Sequence, residues 1–263
     1  MQSESVKTND RVLVGGLPID NADLAQSINR LLHPDRPFPT GYCILANAHM
    51  GYLARQDAYL KELIARADHV YADGRPVYWA ARLLGAQHLQ HCRGEDVCNE
   101  MITAATKRNL KIGFFGCRDQ HAMDELLVQV RQTYPEANIG WTGVPPMMSL
   151  DEVGEDPATI ESINQSGIAI LFVGIGCPKQ EYWMARNASG LQCVSIGVGA
   201  VFDFMGGQKA VAPKLMQYLG MEWLFRLLSE PKRLCRRYLV ESPLFLFQVV
   251  ANAVKDRLSV NPP

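Results

Sequence analysis

Short apolar runs bounded by glycine or polar turns recur along this chain. They alternate with stretches in which apolar residues return every three or four positions. RVLVGG (11–16), YCILAN (42–47), HVYAD (69–73), KIGFFG (111–116), ANIGWTG (137–143), IAILFVGIG (168–176) and CVSIGVG (193–199) have the length and composition of strands. After the first, Leu24, Ile28, Leu31 and Leu32 share one side of a helix that Asp20 or Asn21 would cap. Helices are also expected from 48 to Ala67, from Val77 to Leu84, from Gln120 to Tyr134 and from Gln180 to Asn187. Several strand runs are apolar at consecutive positions, as in strands covered on both faces. Their alternation with helices predicts an α/β fold, a Rossmann-like, mostly parallel sheet covered by helices, over residues 1–211. In that architecture ligands bind at the carboxyl ends of the strands, where Asn47, Asp73, Gly116 and the Gly174–Gly176 turn fall.

From Ala212 the pattern changes. No strand-like run follows, and the chain reads as two or three helices broken at Gly220, Pro231 and Pro243. Between 212 and 238 six basic residues (Lys214, Arg226, Lys232, Arg233, Arg236, Arg237) face two acids (Glu222, Glu230), a net of +4 in a chain of −1. They are interleaved with Trp223, Phe225, Leu228 and Tyr238, and the LFLFQVV that follows is too short to span a bilayer. Residues 212–263 thus read as a basic amphipathic helical appendage suited to an anionic membrane surface. A helix hairpin docked on the main domain is the alternative.

Composition narrows the field. With 263 residues, 48% of them hydrophobic, the chain builds a sizeable core, and its near-neutral charge gives no reason to expect nucleic acid as a partner. The N-terminal MQSESVKTND has no apolar stretch of a secretory signal, and seven scattered cysteines are not a disulfide framework. His88, His91, Cys92 and Cys98 match no common zinc spacing and read as a solvated loop, so no metal is expected there.

Candidate chemistry concentrates at the strand ends. Gly174-Ile-Gly-Cys-Pro-Lys179 lacks the third glycine of the dinucleotide fingerprint and the acid that would hold a ribose. Pro178 opening a helix, with Lys179 and Gln180 in its first turn, suits a diphosphate instead; a plain tight turn is the alternative. There is no P-loop, no Gly-x-Ser-x-Gly and no D-x-D to hold a metal-bound nucleotide. Asp73 at a strand exit is the acid–base candidate, with a helix cap as its bland counterpart. Gly74 would leave room for substrate beside it. Asn47 either orients a substrate hydroxyl or closes a turn, and Arg93, before a helix opening with Glu95 and Asp96, either pairs with those acids or reaches a phosphate.

The set NAHM (47–50), ARADHVYADG (65–74), WAARLLG (79–85), RGED (93–96), ILFVGIGCPKQE (170–181), SIGVGAVFDFMGG (195–207) and APKLMQYLGMEWLFRLLSEPKRLCRRYL (212–239) resembles the WecG/TagA/CpsF family of bacterial glycosyltransferases, glycosyltransferase family 26. The resemblance implies inverting transfer, without metal or other cofactor, from a UDP-sugar to a sugar linked by diphosphate to a polyprenol. It implies Asp73 as general base with Asn47 in the same site. The local pattern makes Arg93, Gly116, Gly174, Gly176, Lys179 and Gln180 the substrate candidates, and the resemblance puts Arg226, Arg233, Arg236 and Arg237 in a segment docking at the membrane, expected on the cytoplasmic face of the bacterial inner membrane. Within the family the likeness is to glucosyltransferases of exopolysaccharide assembly, implying glucose and a β-1,4 linkage. A homo-oligomer is compatible with all of this. Leu45 stands where relatives often carry threonine, and His49 where many carry glutamate. A non-catalytic sugar-nucleotide-binding module recruited to the membrane is the rival reading.

Overall fold

The computed structural model describes residues 10–32 and 40–260, so all but Asp10 of the N-terminal stretch discussed above lies outside it. In chain order the elements are β1 (Arg11–Val14), β2 (Leu17–Asp20), α1 (Leu24–Leu31), β3 (Gly41–Ala46), α2 (Ala48–Gln56), α3 (Ala58–Arg66), β4 (His69–Ala72), α4 (Arg75–Leu83), α5 (Gly94–Lys107), β5 (Lys111–Gly116), α6 (Gln120–Thr133), β6 (Asn138–Gly143), α7 (Pro157–Ser166), β7 (Ile170–Gly174), α8 (Lys179–Asn187), β8 (Val194–Gly197) and α9 (Val201–Met205). The C-terminal part holds α10 (Lys214–Tyr218), α11 (Glu222–Ser229), α12 (Pro231–Arg236), a π-helical turn (Arg237–Glu241) and α13 (Ser242–Val260).

Six strands form one parallel sheet in the order β4-β3-β8-β7-β5-β6. Its inner strands are apolar at nearly every position because both faces are covered. One face carries the core of α2, α3, α4, α7 and α8 (Val77, Ile160, Trp183), and the other that of α1, α5, α6 and α9 (Ile28, Met101, Met123, Phe202). β6, at one edge, alternates exposed and half-buried residues.

The first apolar run departs from expectation. RVLVGG does not lead into a helix: β1 turns back through Gly15-Gly16 into β2 as an antiparallel hairpin outside the main sheet. Asp20 therefore ends a strand, and the cap of α1 is Asp23, which accepts from the Gln26 N–H. The hairpin packs beside β4. The Arg11 guanidinium bonds Asp20 at 2.6 Å and the carbonyls of Ala67 and Asp68 at 2.7 and 2.8 Å, and His69 Nδ1 lies 2.7 Å from Asp20 Oδ2. A sheet edge is thereby shielded from further strand pairing.

The C-terminal helices break at Gly220 and Pro231 but not at Pro243. There the chain stays helical across the π turn, where Ser242 N–H donates to Arg237 five residues back. The shifted bonding pattern just ahead of Pro243 accommodates a ring that would collide in a regular α-helix. Phe245 and Val249 of α13 are buried in the core cluster that contains α2. Among the described residues no helix is long and apolar enough to cross a membrane.

Candidate active site

The carboxyl edge of the sheet lines up the candidate residues strand by strand: Asp73 after β4, Asn47 after β3, the Val198–Ala200 turn after β8, Gly174–Gly176 after β7 and Gly116 at the end of β5. With neighbouring strands about 4.8 Å apart, Asp73 and the β7 turn are separated by about 14 Å. The order of the sheet also fixes a crevice. β5 connects through α6 on one face and β7 through α8 on the other, so the loops after these adjacent strands diverge. Such a switch point is where open α/β sheets bind ligands.

Asp73 is held by the backbone from both sides. Its own N–H donates to Ala46 O at 2.8 Å, and the Cys92 N–H donates to Ala72 O at 3.1 Å, so the His91–Cys92 segment runs along the end of β4. The cap position of α4 is Gly74, and no side chain caps that helix. The carboxylate is thus not spent as a helix cap. Gly74 has φ +88°, and a Cβ built there would have nothing nearer than Asn47 Cβ at 3.8 Å. Its positive φ favours glycine, and the space beside it, where a side chain would stand, is open. Asn47 does close a turn: its side-chain oxygen accepts from Met50 N–H at 3.1 Å, capping α2. That use of the oxygen leaves its NH₂ group as the donor for a ligand. Leu45, two residues earlier, is buried beneath α5, with Gly94 close against it.

The loop carrying His88 and His91 is not uniformly solvated as expected. Leu89 and Cys92 are buried, and the His91 ring lies 5.6 Å from that of Tyr78 with Nε2 sealed from solvent. Burial lowers the His91 pKa, while the charge of Asp73 pulls it back up. Among the described residues no three His, Cys, Asp or Glu side chains converge as a metal site.

At the β5/β7 switch lies a cavity of about 300 Å³, lined by Gly174, Gly176, Lys179, Gly199 and Ala200 with Cys117, Arg118, Met148, Asp203, Lys209 and Arg233. Glycine shapes its floor: a Cβ on Gly116 would meet Gly174 O at 2.6 Å, and one on Gly174 would meet the Phe202 ring at 2.4 Å. Four cations against one acid make the lining basic. Lys179 donates to Met148 O at 3.1 Å, and Lys209 pairs with Asp203 at 2.6 Å and Glu230 at 3.3 Å. The sequence reasoning missed Arg118 and Lys209. The first was signalled by its place two residues past a strand end, and the second by no motif at all.

The C-terminal segment is fastened beside Asp73. Arg75 donates to the carbonyls of Gln217 and Tyr218 at 3.0 and 3.2 Å. Arg93 bonds Gln217 Oε1 at 2.9 Å and Glu95 at 3.2 Å, and lies 3.2 Å from Glu222. It pairs with Glu95, then, and also with the tail. Burial raises the Glu222 pKa, with Arg93 opposing and Asp73 adding to the rise. The four appendage arginines are placed differently. Arg226 stacks 4.6 Å from the Phe204 ring; Arg233 lines the cavity and grips Glu230 at 2.6 and 2.9 Å. Arg236 is exposed beside Glu241 at 3.0 Å, and Arg237 is half-buried with Nε sealed from solvent. Leu215, Tyr218, Leu219, Trp223, Leu228 and Phe247 stand exposed along this segment.

The profile of the glycosyl transferase WecG/TagA/CpsF family matches residues 12–259. A curated relative is the N-acetylglucosaminyldiphosphoundecaprenol N-acetyl-beta-D-mannosaminyltransferase of Bacillus spizizenii, 24% identical over 222 residues that cover 84% of this chain and 82% of the relative.

Proposed function

The chain belongs to the glycosyl transferase WecG/TagA/CpsF family, and from that premise we propose that it moves a hexose, with inversion, from a UDP-sugar to a sugar carried by diphosphate on a polyprenol. The observation that carries the reading is the uncapped Asp73 carboxylate, on the same sheet edge as a basic cavity and beside a segment of exposed apolar side chains. A sugar nucleotide laid along this edge has its nucleotide in the cavity and its sugar toward Asn47 and Asp73. The lipid-linked acceptor arrives from the side of Leu215, Tyr218 and Trp223.

Chemically, the acceptor hydroxyl bonds to the anomeric carbon while Asp73 takes its proton; aligned proton transfer contributes about 10²–10⁴-fold. The bond from that carbon to the diphosphate oxygen breaks, and its electrons leave with UDP. Lys179, Lys209, Arg118 and Arg233 meet the leaving charge in place of a D-x-D-bound metal. An α-linked donor gives a β-glycoside. Residues 212–263 act as the membrane-associating appendage, holding the protein peripherally on the inner membrane's cytoplasmic face.

The relative, named for transfer to N-acetylglucosaminyldiphosphoundecaprenol, supports a polyprenyl-diphosphate acceptor here as well. For the sugar, we propose glucose passed to lipid-linked glucose in β-1,4 linkage, as in the xanthan repeat unit. This rests on the sequence resemblance. The test is a panel of UDP-sugars offered with polyprenyl-diphosphate-linked glucose, the products resolved by mass and linkage. Transfer of another sugar replaces glucose. Binding of UDP-sugars with no transfer to any lipid-linked acceptor replaces the enzyme with a binding module.

A further inference from the structure

Just past the turn at β7, the first turn of α8 buries two polar side chains that the catalytic scheme leaves unexplained. Gln180 is 4% exposed and Glu181 0%. Gln180 Nε2 donates to Glu181 Oε1 at 2.8 Å, while Gln180 Oε1 is buried with no hydrogen-bond partner among the described residues. Leaving such an acceptor unmatched costs about 1–3 kcal/mol, so its presence calls for an explanation. Gln180 lies across the end of β8 because Gly197 has no side chain: a Cβ there would come 2.7 Å from Gln180 Nε2. The Cβ position of Gly199, a residue that lines the cavity, has Oε1 of the same amide at 3.6 Å and Nε2 at 3.9 Å as its nearest neighbours. The amide thus lies between the buried carboxylate and one residue of the cavity lining, with Oε1 the nearer atom to that residue.

An amide can be turned either way, and its neighbours decide which. A carboxylate only accepts, so it draws the NH₂ group inward and leaves the oxygen outward. We propose that Glu181 is a positioning residue whose carboxylate, by accepting from Gln180 Nε2, holds Gln180 Oε1 outward as the acceptor for a substrate hydroxyl. The proposal rests on the glycosyltransferase reading above. The hydroxyl belongs either to the sugar nucleotide or to the lipid-linked sugar.

The surroundings make the arrangement sensitive to pH. Burial drives the Glu181 pKa up to about 7, with the Gln180 and Cys177 hydrogen bonds and the charge of Arg237 holding it down. Facing groups are the Cys177 thiol, itself pushed up by burial, and Arg237 of the π turn. Beyond Arg237, His49 of α2 feels that arginine and contacts Glu241 at 2.8 Å. A protonated Glu181 can donate to Gln180 Oε1. The amide then turns its NH₂ outward, and the acceptor is lost below pH 7.

The experiment compares wild type, Glu181→Gln, Gln180→Ala and the double variant in the transfer assay, with KM measured for UDP-sugar and for lipid-linked sugar across pH 7. Glu181→Gln keeps the shape but no longer dictates the amide orientation. It is expected to raise KM for one substrate about tenfold, the scale of one hydrogen bond, with kcat little changed and the acidic loss of kcat/KM abolished. The substrate whose KM moves owns the hydroxyl. In the Gln180→Ala background Glu181→Gln should add nothing, which a purely structural acid would not reproduce. Wild-type KM values with an intact acidic limb in Glu181→Gln, or additive losses in the double variant, overturn the proposal alone. Absence of transfer by the wild type overturns the functional reading and this proposal with it. Should Glu181→Gln fail to fold, wild-type kcat/KM flat across pH 7 overturns the proposal, and a decline below pH 7 at constant kcat supports it.

Discussion

The seating of α13 on α2 makes a prediction whose sign can be reversed. Gly51 sits in the middle of α2, and a Cβ there would lie 2.4 and 2.5 Å from the ring of Phe245, which is fully buried. In an exposed helix interior, glycine to alanine stabilises by about 1 kcal/mol. Here the ring is confined on its other side too: it packs so closely over Gly15 that a Cβ on that residue would also stand 2.6 and 2.9 Å from the same atoms. Overpacking of this kind costs about 1–3 kcal/mol, so, set against the helix gain, Gly51→Ala should be a net loss of up to about 2 kcal/mol. Phe245→Ala alone removes the anchor and costs about 3–5 kcal/mol. In that background, however, Gly51→Ala should gain about 1 kcal/mol, since the obstacle is gone and the propensity term remains. Urea denaturation followed by circular dichroism, run as a double-mutant cycle, reads a coupling of about 1–3 kcal/mol. A Gly51→Ala protein that is more stable than wild type while Phe245 is present would refute the packing of α13 on α2.

Three further outcomes follow from the site. Asp73→Asn keeps the shape and should keep donor binding, but turnover should fall by about 10²-fold or more through loss of the base; near wild-type turnover removes Asp73 from the mechanism. Transfer should persist in excess EDTA, since no D-x-D is present to hold a metal-bound donor; loss of activity restored by Mg²⁺ or Mn²⁺ would contradict this. Lys214, Lys232 and Arg236, all exposed, changed together to Glu should weaken binding to anionic vesicles by about 3 kcal/mol, at about 1 kcal/mol per charge near the surface. Co-sedimentation equal to wild type, with the variant folded, would make the segment a packing element only.

The parallel sheet was legible because burial on both faces leaves continuous apolar runs that few other architectures tolerate. The hairpin was legible too, though it was passed over: two strand-like runs, RVLV and LPID, flank Gly15-Gly16, whose φ values of +59° and +92° fit a two-residue turn of the kind glycine pairs favour. Helix α7 likewise announced itself through Asp156 as cap, Pro157 at its first position and the left-handed Gly167 at its end. Periodicity over ten residues with only Ile160 and Ile163 buried was too faint to reveal it. The switch crevice could not be read at all. Strand order in a sheet depends on which helix crosses which face, and that is settled by packing between residues far apart in sequence.

The basic tail shows the same limit from the side of electrostatics. A net charge of +4 treats its arginines as equivalent, whereas each acquires its role from what packs beneath it. Arg226 is held over Phe204, Arg233 is fixed by Glu230 at the cavity lining, and Arg236 is exposed beside Glu241. Arg237 points inward, where its charge lowers the pKa of the buried Glu181. Reversing Arg237 would therefore place a second carboxylate beside an acid that burial already disfavours as an ion. Its loss should appear first as instability, while loss of Arg236 should appear only in the presence of membranes. Position relative to the α/β core, rather than charge count, divides the segment into a part fastened at the carboxyl edge of the sheet and a part left exposed.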